Sequence, residues 1–265
     1  MNFHIITLFP DMVRAVLSES IIGRGEKKGC IGINYYQLRD YSEDKHKNVD
    51  DTLYGGGKGM LLTAGPIYNC WSAIKDSVTG RVKTVYMSPK GVLLTQKKAE
   101  ELAGVGDAAP GVPRNFGAGE LIVICGHYEG VDERVLELTG AEEISIGDFI
   151  LTGGELPCAV LVDCVARLAD GVLSDPECHE KESISSGLLE HPQYTKPFNF
   201  LGMEVPEVLI SGHHANIEKW RREQSLRLTA ARRPDLLEKN LEKLNGGDLK
   251  YLRENDLWGI IDERN

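Results

Sequence analysis

Leu121 to Leu138 reads LIVICGHYEGVDERVLEL. Five apolar residues, Leu121 to Cys125, form a run too short for a helix of ordinary length and with no polar alternation. That pattern predicts a strand buried on both faces. Gly126 and Gly130 bracket the turn that follows, and Val131 to Leu138 then reads as a helix. The same unit recurs outward along the chain. His4 to Phe9, Ile31 to Leu38, Val82 to Met87 and Glu143 to Ile146 are strand candidates. Gly65 to Asp76, with Ile67, Trp71 and Ile74 on one face, reads as a helix. So do Thr95 to Leu102, with Thr95 as N-cap, and Leu156 to Leu168. Strands alternating with helices predict an α/β fold with a mostly parallel sheet covered on both faces.

The chain has 265 residues, enough for one large domain and a small one. Residues 1–172 form the first. Residues 173–199, polar and broken by prolines, read as an interdomain linker that orders on binding a ligand, and 200–265 as a small helical carboxyl-terminal domain. Its main helix runs from His214 to Arg232 and stops before Pro234, with Ile217 and Trp220 facing the core. The segment 103–120, rich in Gly, Ala and Pro, is a surface loop. A polar, glycine-rich stretch runs from Arg39 to Met60.

Hydrophobic residues make up 42% and charged residues 26%, ordinary for a globular protein. No apolar run is long enough to span a bilayer, and the first residues have no basic stretch ahead of an apolar one, which argues against a secretory signal. The 6 cysteines form no CxxC pair and read as reduced thiols, so the expected location is cytoplasmic. They suggest no structural zinc site. The net charge of −10 argues against a surface coated in positive charge. Positive groups nevertheless cluster in IEKWRREQSLRLTAARRP, where Lys219, Arg221, Arg222, Arg227, Arg232 and Arg233 face only Glu218 and Glu223.

In an open parallel sheet, ligands bind beyond the carboxyl ends of the strands. Three glycine-bearing segments fall there: 86–91, 126–130 and 145–157. Gly55-Gly56-Gly57-Lys58-Gly59-Met60 lacks both the strand before it and the Ser or Thr after the lysine that a P-loop needs, and no GxGxxG follows a strand. An adenine-bearing ligand held mainly by backbone groups of the three turns remains.

YGGGKGM, SPKG, CGHYEGVDERV, SIGDFILTGGELP, GLLEHPQYTKP and MEVPEVLISGHHANIEKWR resemble, in order, the blocks of bacterial tRNA (guanine-N1)-methyltransferase. The resemblance spans nearly the whole chain. It implies the SPOUT class, a parallel sheet tied in a deep trefoil knot, plus a small helical carboxyl-terminal domain that binds tRNA. It also implies a homodimer with each site built from both chains. The reaction it implies moves a methyl group from S-adenosylmethionine to N1 of the guanosine just 3′ of the anticodon, position 37, in the tRNA anticodon stem-loop. Magnesium is implied for activity. By match, Tyr86, Ser88, Pro89, Gly126, Tyr128, Glu129, Ile146, Gly147, Leu151, Gly153, Gly154 and Pro157 line the cofactor pocket.

Methylating guanine N1 removes its proton while charge builds on O6, so a carboxylate base and a cation are the expected pair. The resemblance assigns the cation to Arg167, which by position alone is an ordinary solvated helix arginine. It assigns the base to Glu182, where relatives carry aspartate. Glu180 or Asp175 are the substitutes if the linker shifts. His127 stands where many relatives carry arginine and is a candidate RNA contact; so are Asp50, Lys219, Arg222 and Arg227. Glu129 has four open readings: cofactor, magnesium, target base, or a carboxylate that only caps nearby backbone donors. The rival readings are a SPOUT enzyme acting on another atom, a non-catalytic RNA-binding protein and a small-molecule methyltransferase; the basic helix speaks against the last.

Overall fold

The computed structural model describes residues 1–104, 119–173, 183, 187–257 and 259, which divide into two compact units, 1–176 and 177–265. The first is built on β1 (Asn2–Thr7), β2 (Gly32–Gln37), β5 (Arg81–Leu93), β6 (Gly119–Cys125) and β7 (Glu142–Ser145). They form one sheet in the order β2-β1-β6-β5-β7, and each neighbouring pair is parallel. Period-2 alternation divides the strand side chains between two cores. Phe3, Ile5, Val85, Leu121, Val123 and Cys125 pack on one face. That face is covered by α1 (Pro10–Leu17), α2 (Ser20–Lys27), α4 (Gln96–Ala103) and α6 (Glu155–Ala166). Ile6, Tyr86, Ile122 and Ile124 pack on the other, under α3 (Ala64–Ser77) and α5 (Glu133–Thr139). The continuous apolar run of β6 follows from its central place between two helix layers.

Thr95 is the N-cap of α4, its hydroxyl accepting from Lys98 N–H at 3.2 Å. β5 extends past Met87 through Ser88-Pro89-Lys90-Gly91 and resumes pairing with β7 at Val92, with a register shift between. The glycine-rich stretch holds an antiparallel hairpin, β3 (Asp50–Thr52) with β4 (Met60–Leu62), rather than only loop. The helices α1 and α2 have no counterpart in the sequence reading. Each is 8 residues long, and Gly23 and Gly25 dilute the helical signal of α2.

Near the amino ends of β1 and β6 lies a buried polar group. Glu120 Oε2 accepts from His4 Nε2 at 2.8 Å and its Oε1 from Asn2 Nδ2 at 3.1 Å, while the Tyr36 hydroxyl lies 2.9 Å from His4 Nδ1. His4 and Glu120 are 4% and 8% exposed, so neither finds water as a substitute partner.

The second unit contains a short hairpin, β8 (Asn199–Phe200) with β9 (Met203–Glu204), followed by α7 (His214–Arg232), α8 (Pro234–Lys239) and α9 (Gly246–Glu254). Its core is Leu188, Leu226, Ala230, Leu237 and Leu252. Ile217 and Trp220 were expected in that core and are only half-buried. The core gathers around the carboxyl-terminal half of α7, where α8 and α9 pack, and Trp220 lies instead beside the rings of His191 and Tyr194. The later part of the expected linker is drawn in: Leu188 is buried, and Leu189 N–H donates to Thr229 Oγ at 2.9 Å.

Arg222 grips Asp248 with two hydrogen bonds, of 3.1 and 2.8 Å. Burial pushes the Asp248 carboxyl up, but the Arg222 hydrogen bonds, the Asn245 backbone N–H and the Arg222 charge outweigh it and hold it below its usual range. Among the described residues no helix is long and apolar enough to cross a membrane.

Two stability predictions follow from these groups. Glu120→Ala leaves the buried His4 and the half-buried Asn2 side chains without this acceptor and should destabilise the first unit by about 3 kcal/mol in denaturant titration. Asp248 binds its proton more weakly folded than unfolded, so its contribution is present above about pH 4 and lost as pH falls through the folded value. Arg222→Ala should cost about 2 kcal/mol at pH 7 and progressively less below about pH 4. A loss that stays constant down to pH 2 would contradict the ion-pair account.

Candidate functional site

The carboxyl ends of β6 and β7 and the irregular stretch of β5 at Tyr86–Pro89 open into one cavity of about 240 Å³. Its walls come from the three turns singled out in the sequence. Tyr86, Met87, Ser88 and Pro89 come from the first, residues 126–130 from the second, and residues 144–147, 149–154 and 157 from the third. All twelve residues expected around the cofactor line it. Met87, His127, Gly130, Phe149, Ile150 and Thr152 line it as well. Only His127 of these was singled out, as an RNA contact. The others sit inside the same glycine-bracketed blocks, which was the signal that could have found them.

Backbone approach sets the cavity's shape. Gly154 N–H donates to Gly126 carbonyl at 2.8 Å, and His127 and Gly153 form an antiparallel bridge. A Cβ on Gly154 would lie 2.9 Å from both Cys125 Cα and Gly126 N, closer than unbonded backbone tolerates. A Cβ on Gly126 would lie 2.6 Å from the Tyr86 hydroxyl. The two glycines are therefore required where two turns and one aromatic ring meet. Tyr128 adopts a left-handed backbone with φ of 57°, a conformation that costs a bulky residue roughly 1–2 kcal/mol and tends to occur at functional sites. Burial, then the charges of Glu143 and Glu133 and the neighbouring Cys125, pushes the Tyr86 phenol up to about 12, so it stays a neutral hydroxyl.

The hairpin β3–β4 is part of this site. Glu129 N–H donates to Met60 carbonyl at 3.1 Å, Leu62 N–H to Gly130 carbonyl at 3.1 Å, and Asp132 N–H to Leu62 carbonyl at 2.9 Å. The glycine-rich block thus buttresses the 126–130 turn and places Gly59 against the Glu129 side chain. Asp50, on β3 opposite Leu62, is half-buried beside an open groove with Glu43, Asp44 and Asp51.

Other expected site residues lie elsewhere. Arg167 is the C-cap of α6 and does not line the cavity; α6 is 12 residues long, so roughly 18 Å of helix separates it from Gly154. Glu182 lies outside the described residues, as do Asp175, Glu180 and Cys178. Cys30, Cys70, Cys125, Cys158 and Cys164 are free thiols, and hydrogen bonding to Cys158 and burial push Cys125 well up. On α7, Lys219 and Arg227 are exposed, with Lys219 3.8 Å from Glu223. Arg222 is committed on one edge to Asp248, and its other N–H donors remain on an exposed edge.

A parallel sheet whose turns form a cavity with five glycines in its lining, in one unit, and a helical second unit with exposed lysine and arginine define an α/β protein with a small-ligand cavity and a separate basic surface. The comparisons narrow this class. The family described as tRNA (Guanine-1)-methyltransferase TrmD matches residues 1–239, and the chain belongs to that family. Its relatives include the tRNA (guanine-N(1)-)-methyltransferase of Ruminiclostridium cellulolyticum, 50% identical over 90% of this chain and 97% of that protein. Those of Lachnospira eligens and Clostridioides difficile are 48% and 44% identical over 92% of this chain, covering 98% and 100% of their own lengths.

Gly154→Ala should lower affinity for S-adenosylmethionine by at least about tenfold in calorimetry, because the clash falls on backbone that cannot swing aside. Binding as tight as in the native protein would show that the two turns are not held at this spacing.

Proposed function

We propose that the chain methylates N1 of the guanosine at position 37 of tRNA, using S-adenosylmethionine held in the cavity between the three turns. The observation that carries this reading is the closure of all twelve expected cofactor residues around one cavity, in a chain of this family. The residues fit that ligand. Gly126, Gly153 and Gly154 leave a cradle that Cβ atoms would fill, and mixed polar and apolar walls suit an adenosine with a bent methionine tail. When bound, S-adenosylmethionine supplies an electrophilic methyl group on a sulfonium.

The chain's own residues do the rest. The turns orient the methyl toward the cavity mouth and exclude water from it. Glu182 takes the N1 proton as the new N–C bond forms, and Arg167 stabilises the charge that builds on O6. Glutamate is one methylene longer than the aspartate of relatives. Asp50 and His127 contact the target nucleotide and its neighbours. Lys219, Arg227 and the free edge of Arg222 hold phosphates of the anticodon stem-loop, in a helical domain starting at about residue 200. The deep trefoil knot of the resemblance accords with turns that grip one another by backbone contacts.

One chain does not bring Arg167 to its own cavity, and a second copy completes the site. Met12 and Val16 on α1 and Leu156 and Val160 on α6 are exposed on adjacent helices, an apolar face that a homodimer covers. A two-fold partner lying antiparallel along this face carries its Arg167 toward the first chain's cavity. The resemblance implies magnesium for activity; among the described residues no group of three or more His, Cys, Asp or Glu side chains could hold a metal ion.

Reaction with unmodified transcripts carrying G or A at position 37 should give N1-methylguanosine from the first alone; any other methylated nucleoside defeats the reading. Glu182→Gln should lower kcat by about 10²–10⁴-fold at nearly native cofactor affinity. Arg167→Ala mixed with Gly154→Val should recover activity that neither variant has alone, because mixed dimers restore one intact site. No recovery would place the whole site within one chain.

A further inference from the structure

Behind the cavity, the same two turns enclose a buried carboxylate that the proposed chemistry does not use. Glu155, the first residue of α6, is 2% exposed, and the first turn of a helix suits its negative charge. Thr7, at the end of β1, orients one of its oxygens. The Thr7 hydroxyl accepts from Phe9 N–H at 2.9 Å and donates to Glu155 Oε1 at 2.8 Å. The other oxygen, Oε2, lies 3.9 Å from His127 Nδ1. That nitrogen is buried and has no hydrogen-bond partner, although the side chain keeps 24% of its exposure on the rest of the ring. The rings of Phe9 and Tyr128, at centroid distances of 5.0 and 4.8 Å, hold the imidazole from the sides. A side chain at Gly153 would run into Glu155 Oε2 and come within 2.7 Å of His127 Nδ1, so the space between carboxylate and imidazole exists because residue 153 is glycine.

A carboxylate only accepts hydrogen bonds. His127 Nδ1 meets it by carrying a proton, and the present gap is about 1 Å longer than a hydrogen bond. We propose that Glu155 is a positioning residue for the methyl-donor cavity: it selects the Nδ1–H form of His127, and the hydrogen bond from Nδ1–H to Oε2 closes when the 126–130 turn settles on a bound ligand. The bond latches that turn to the 151–155 turn, each of which forms one wall of the cavity. The inference rests on the reading of this cavity as the S-adenosylmethionine site. Because Glu155 acts through His127 and touches no reacting atom, its loss loosens capture of the donor and leaves methyl transfer at saturation close to native.

The test uses the full chain with Thr7→Val, Thr7→Ser and Glu155→Gln. Thr7→Val and Glu155→Gln should raise KM for S-adenosylmethionine about tenfold while kcat stays within about threefold, and Thr7→Ser, which keeps the hydroxyl, should stay within about twofold of native. In Glu155→Gln the amide oxygen takes the Thr7 proton and its NH₂ faces His127, so Nδ1 becomes an acceptor. Long-range ¹H–¹⁵N spectra of the liganded proteins should therefore show Nδ1–H in the native chain and Nε2–H in the variant. An unprotonated Nδ1 in the native complex, or a fall in kcat without a change in KM, overturns the latch. If the native protein binds S-adenosylmethionine and the variants bind it equally well, the latch alone is wrong. If calorimetry shows no binding by the native protein, the cavity assignment and the latch fall together.

Discussion

The site depends on the hydrogen bond between Gly154 N–H and the Gly126 carbonyl, and on the lack of side chains around it. Two turns arriving from different strands touch there through backbone, and any Cβ would force them apart. The three-layer packing makes the contact possible. Helices on both faces hold the central strands in fixed register, so the strand ends present their turns at fixed spacing. The strain at Tyr128 is tolerated because that turn is fastened on one side to Gly153 and Gly154 and on the other to the β3–β4 hairpin. A cavity with five glycines among its lining residues lets a ligand approach backbone N–H and C=O groups, while apolar side chains such as Ile146 and Leu151 fix its shape.

Much of this was legible in the chain before any coordinates. The run Leu121 to Cys125 is buried along its whole length, and α7 has the bounds read from its sequence, His214–Arg232. Those segments are long or strongly patterned, and tertiary contacts reinforce the local signal. The elements that escaped are short or carry mixed signals. α1 and α2 are two turns each, and packing against β1, β2 and α6 stabilises them more than their own propensity does. The β3–β4 hairpin is 3 residues a side and is fixed by its bonds to residues 129–132, far away in sequence. β5 continues through Pro89 and Gly91 because its bulged end pairs only with edge strand β7, which no local pattern announces.

For the site, type and spacing of residues located the walls but not the partners. Glycines at 126, 130, 147, 153 and 154 point to a tight binding turn from sequence alone. That Thr7 would reach Glu155, or that Asp248 would occupy one edge of Arg222, depends on strands and helices distant in sequence. Ile217 and Trp220 show the converse: correct helical phase does not say which half of a helix the core will use.

The distribution of charge carries one further consequence. The cavity wall is made mostly of neutral groups, and the cation proposed for the reaction lies at the far end of α6. The carboxylate proposed as base belongs to a segment whose following residues are anchored on the second unit through Leu188 and Thr229. The proposed reading thus gives the holding of the methyl donor and the activation of the guanine to different residues. On that proposal, a mostly neutral cavity can bind the donor without the cation assigned to the guanine, because Arg167 does not line it.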